Sequence, residues 1–113
     1  MNQIDLIPLI GSEHQVEWAG RIRGQVNADF DRVAESFRAV AGKQDPDRSA
    51  DTEAILAILE DKRAGVMSRD QAGYFIHDWQ EITDQVRQLI FDDPRYQAIK
   101  IKRNLHLSGA RKS

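Results

Sequence analysis

A chain of 113 residues, 41% apolar and 30% charged, has the make-up of one folded domain and is too apolar for wholesale disorder. It has no apolar run near the roughly 20 residues that span a bilayer, no basic segment ahead of an apolar core, and no cysteine. Membrane spans, a secretory signal, disulfide scaffolds, zinc ribbons and thiol nucleophiles are set aside on that basis, and a cytoplasmic location is expected. Only seven glycines and three prolines interrupt the chain, which points to an all-α fold.

Residues 1–11 read as an extended arm, with Pro8 blocking a helix and Ile4, Leu6, Ile7, Leu9 and Ile10 lying on the body. At Ser12 the string Ser-Glu-His-Gln has the form of a capping box, and Glu13 suits the positive end of a helix dipole. Apolar positions then recur at Ala19, Ile22, Val26, Phe30, Val33, Phe37 and Ala41, about 3.67 residues per turn, which predicts a straight helix over about 13–42. Gly20 and Gly24 bend it or admit a close neighbour, and Gly42 falls where a left-handed cap would sit.

The segment 43–49 reads as a loop around an Asp45-Pro46-Asp47 turn. A second helix is expected over 50–64, with Ala54, Ile55, Ile58 and Leu59 inward and Gly65 as its stop. Ser68-Arg69-Asp70-Gln71 repeats the capping-box form and opens a third helix over 69–91. Its stripe is Ala72, Phe75, Ile76, Trp79, Ile82, Val86, Leu89 and Ile90. Asp93-Pro94 reads as an N-cap followed by proline at the first helical position, opening a short fourth helix over 94–103. The expected architecture is a single helical domain over 12–103, a bundle or open array, followed by a loose basic tail over 104–113. A first helix about 45 Å long beside a second of half its length leaves part of the apolar stripe uncovered, and a homodimer is the usual remedy.

Charge is unevenly placed. Residues 1–93 carry a net −8, and residues 94–113, which hold no acid, carry +6. Arg95, Lys100, Lys102, Arg103, Arg111 and Lys112, with Tyr96 among them, are the candidate contacts for a nucleic acid or an acidic partner. The alternative is that these cations are solvated or fold back on the acidic body.

Little catalytic chemistry is spelled out. His14, His77 and His106 are not spaced as metal ligands, and His77-Asp78 lacks the further ligands a phosphohydrolase needs. Asp29, Asp31 and Glu35 read as a solvated face, and Asp92-Asp93 as a helix start. Nucleophile-elbow, P-loop and dinucleotide strings do not occur. No catalytic residue, metal or cofactor is assigned, and an enzyme is not expected.

The run Gly11-Ser12-Glu13-His14-Gln15-Val16-Glu17-Trp18-Ala19-Gly20-Arg21-Ile22-Arg23 resembles the opening G-S-E-K-Q-x-x-W-A-x-x-I-R of small bacterial, phage and plasmid proteins, with His14 in place of the lysine. The resemblance implies a bacterial or mobile-element origin and a helical fold, with no assigned activity. Read from the residues alone, Trp18, Ala19 and Ile22 pack and Arg23 sits beside an acid. The functional alternative makes Trp18, Arg21 and Arg23 a docking patch. The expected function is a small non-enzymatic helical adaptor that binds a protein partner, with nucleic-acid binding through 95–112 as the alternative.

Overall fold

The computed structural model of the protein describes residues 7–112, with side chains through Asn104. Five helices follow one another: α1 (Glu13–Ala41), α2 (Pro46–Met67), α3 (Ala72–Asp78), α4 (Ile82–Phe91) and α5 (Pro94–Lys112). The all-α expectation holds among the described residues, but the division into elements differs.

The capping box at the head of α1 forms as its residues dictate. Gln15 N–H donates to Ser12 Oγ at 3.2 Å, and Ser12 N–H donates to Gln15 Oε1 at 3.0 Å. The 3.67-residue stripe faces inward: Ala19, Val26, Phe30, Val33 and Ala41 are buried, with Ile22 and Phe37 packed at the core's edge. Coverage comes from within the chain, since α1 packs against α2, α3 and α4. The premise of the homodimer expectation, an uncovered stripe, therefore does not hold. A methyl group at Gly20 or Gly24 would meet nothing within 4 Å, so neither glycine admits a close neighbour.

Helix α2 is longer than the sequence pattern suggests at both ends. Asp45 is an N-cap rather than a turn residue: its Oδ1 accepts from Arg48 N–H at 2.9 Å, and Pro46 occupies the first turn. At the other end the chain passes through Gly65 in helical geometry and stops at Ser68. Among the described residues no glycine is left-handed, so Gly42 and Gly65 are not αL caps. Ala54 is exposed and Leu56 takes its place in the core beside Ile55, Ile58 and Leu59.

The third expected helix is two helices. Ser68 closes α2, donating its hydroxyl to Gly65 O at 2.7 Å, and so is not a cap for α3. Instead Ile10 pairs with the 70–72 segment in a single parallel bridge. Ile10 N–H donates to Asp70 O at 2.7 Å, and Ala72 N–H donates to Ile10 O at 2.9 Å. The arm thus supplies an acceptor that α3's own sequence lacks. Between α3 and α4, residues 79–81 leave helical geometry. Gln85 bridges the gap, accepting from Glu81 N–H at 2.8 Å and donating to Asp78 O. The break redirects the chain: of the other helices α3 packs on α1 alone, whereas α4 packs on α1, α2 and α5.

Helix α5 begins as expected, with Asp93 Oδ1 accepting from Arg95 N–H at 2.8 Å, but it runs on to Lys112 instead of ending near Arg103. The stretch 104–113 expected as a tail therefore begins within α5; Ser113 and the arm residues 1–6 lie outside the described residues. With a 29-residue α1 and a 19-residue α5, the molecule measures 63 × 28 × 17 Å. Its radius of gyration of 17.3 Å exceeds the about 13 Å of a compact chain this size. No described helix is long and apolar enough to cross a membrane.

Candidate functional site

Among the candidate cations of α5, three are held by carboxylates of the fold. Arg95 grips Asp93 (Nε to Oδ1 and Nη2 to Oδ2, each 3.0 Å) and reaches Asp61 Oδ2 with Nη1 at 2.7 Å. Lys102 Nζ lies 2.7 Å from Asp51 Oδ1, and Arg103 Nε lies 3.2 Å from Asp51 Oδ2. Arg103 Nη2 also donates to Arg48 O at 3.2 Å. These bonds lay α5 antiparallel along α2, with Arg95 near Asp61 and Arg103 near Arg48.

The electrostatics follow from the pairing. Arg95, and then Lys62 with Nζ 3.0 Å from Oδ2, hold the Asp93 carboxyl far below the usual carboxylate range. In return, Asp93 and then Asp61 push Arg95 above its ordinary value. Lys102, followed by Arg103, lowers Asp51 against an opposing desolvation effect.

The other tail candidates divide differently. Tyr96 is half-buried and stacks at a tilt on Phe91, ring centroids 5.0 Å apart, so it packs at the edge of the core. Lys100 is exposed and lines a groove of about 620 Å³ between α5 and the start of α2, shared with Lys102, Arg103, Arg48, Asp45, Asp47 and Asp51. Arg111 and Lys112 lie on α5, but their side chains are outside the described residues.

The Trp18, Arg21 and Arg23 patch does not assemble as a unit. Trp18 is 55% exposed, and Arg21 shares its side of α1, 3.6 Å from Glu17. Arg23 is turned about 140° from Trp18 around the helix. There it donates from Nη1 to Ile7 O at 2.7 Å, where an acidic neighbour was expected, and burial lowers its pKa. Asp29 also departs from the sequence reading. It is 2% exposed and ion-paired with Arg32, whose Nη2 reaches Thr83 Oγ1 at 3.4 Å near the start of α4. His14 and His77 are exposed, and His106 is outside the described side chains. No group of three metal-ligating side chains occurs among the described residues.

One feature had no sequence signal: a cleft of about 370 Å³ beside the α3–α4 break, bordered by Lys62, Tyr74, Asp78, Trp79, Leu89 and Asp92. Its members come from four elements and the turns between them, and only the break brings them together. Comparison with known proteins finds no matching protein family, no matching curated protein and no matching solved structure.

Proposed function

We propose that the chain is a non-enzymatic interaction module, of the bacterial or mobile-element origin its opening implies, that binds a protein partner through its helical surface. One observation carries this reading over nucleic-acid binding. Arg95, Lys102 and Arg103, which a nucleic acid would need, are engaged by Asp93, Asp61 and Asp51. A phosphate backbone would have to compete with those carboxylates for each cation. On this reading α5 braces α2, and the exposed surface for docking is the Trp18–Arg21 side of α1, aromatic and arginine side chains being the usual anchors of protein interfaces.

Mobility-shift titrations with single- and double-stranded DNA and RNA at two salt concentrations test the choice. The expected result is no shift at the higher salt and none that depends on Lys100, Lys102 or Arg103. A shift that weakens steeply with salt and disappears in K100A/K102A/R103A overturns it in favour of nucleic-acid binding. A photo-crosslinking residue at position 18 is expected to give discrete adducts in extract of the source cell, and the same group at exposed Glu53 is not; equal labelling at both positions overturns the docking side.

A further inference from the structure

The cleft at the α3–α4 break has a composition distinct from the rest of the surface. Trp79, only 4% exposed, and Leu89 give it an apolar lining, with Tyr74 and Pro94 beside them. Three carboxylates and one ammonium border it: Asp78, Asp92, Asp93 and Lys62. Asp93 is already claimed by Lys62 and Arg95. Asp92 accepts one bond, from Gln88 Nε2 at 2.7 Å, and a carboxylate has capacity for several more. Asp78 is exposed. Two carboxylates therefore remain to receive a donor beside an aromatic, apolar lining.

We infer that this cleft binds an organic cation carried on an apolar stem, an amine or a guanidine. The stem would lie against Trp79 and Leu89, and the charged head would meet Asp78 and Asp92, in bonds strengthened by charge on both partners. Aromatic faces attract such heads as well. The Tyr74 ring at the border of the cleft already carries one such head, the Arg69 guanidinium 4.0 Å from its centroid. A volume of about 370 Å³ falls within the range of small-molecule sites and suits one flexible chain with a cationic end. An anion would meet three carboxylates and a lysine already paired. The inference does not depend on the docking side assigned to α1. The same chemistry is presented by a free diamine or by a lysine or arginine of a partner, and the test separates them.

The chain contains two tryptophans, so the indole N–H region of a ¹⁵N spectrum holds two signals, assigned with Trp18→Phe. Titration with agmatine, and separately with a capped arginine tetrapeptide, is expected to move the Trp79 signal saturably in the millimolar range while Trp18 stays put. Saturation by the peptide at lower concentration than agmatine identifies a partner side chain as the source, and the reverse order identifies a free amine. D78N/D92N is expected to weaken binding about tenfold or more, and the citrulline version of the peptide is expected not to bind. If that double variant does not fold, D78N and D92N are titrated singly. No saturable shift of Trp79 with either probe, or equal affinity in the carboxamide variants, overturns the inference.

Discussion

Asp93 and Arg95 form a two-point fork, Nε to Oδ1 and Nη2 to Oδ2, while the same carboxylate caps the first turn of α5 through Arg95 N–H. One side chain thus closes the α4–α5 turn and, through Lys62, ties it to α2.

That arrangement sets an acid limb. Because the folded-state pKa of Asp93 lies below its unfolded value, its contribution is complete above the ordinary carboxylate pKa of about 4 and is lost as pH falls toward the folded value. D93N is therefore expected to lower the melting temperature at pH 7, with the gap to the wild-type chain closing below about pH 4. Thermal melts across pH check this, and a gap of constant size would contradict it.

Glycine substitutions should divide by position. Gly24 and Gly65 sit in helical geometry with open space where a Cβ would stand, so G24A and G65A are expected to raise stability by about 0.5–1 kcal/mol each. Gly11 differs, since a Cβ there would lie 3.0 Å from the Cβ of Ala72, which is fully buried. G11A is expected to cost about 1–3 kcal/mol, the range of overpacking. Urea unfolding measures all three. A destabilised G65A would restore the reading of Gly65 as a helix stop.

Asp51 fastens α5 by receiving both Lys102 and Arg103. D51A is expected to speed amide exchange in the 98–104 stretch while leaving the α1 amides protected, and to increase retention on a heparin column by more than the loss of one negative charge explains. Hydrogen-exchange mass spectrometry and K102A as the comparison separate release of the helix from a simple charge effect.

Gln85 closes the gap at residues 79–81 from both sides. Q85A leaves Glu81 N–H and Asp78 O without that partner, at a surface where water replaces it in part. The expected loss is about 0.5–1.5 kcal/mol, with the fastest new exchange at residues 79–82. Urea unfolding and exchange at single-residue resolution check both.

The boundaries that were legible in the sequence are those written in local chemistry. Ser12 with Gln15, and Asp93 with Pro94, each announce a helix start within four residues, and both form as their side chains require. Asp45-Pro46 carries the same signature as Asp93-Pro94, yet the second aspartate at 47 reads as a turn; the deciding bond, Arg48 N–H to Asp45 Oδ1, is identical in kind. The break at Trp79 was hidden for a different reason. The apolar stripe from Ala72 to Ile90 keeps helical phase across it, and the groups that stabilise it are glutamine side chains rather than glycine or proline. The start of α3 was hidden because its acceptor comes from Ile10.

At the candidate surfaces, the sequence exposed the charge asymmetry but not its resolution. Arg95 finds Asp61, and Lys102 finds Asp51, only when α5 lies along α2, a matter of tertiary packing. The cleft lining, drawn from Lys62, Tyr74, Asp78 and Leu89, has no linear spacing by which it could be noticed.

The bridge between Ile10 and Gln71 bears on the order in which the protein is made. Residue 10 leaves the ribosome long before residue 72, so the acceptor for α3's first amide is already outside when that amide emerges. Once residue 72 clears the exit tunnel the clasp can close while α4 and α5 are still inside it, and the N-terminal stretch serves as a template waiting for a later segment.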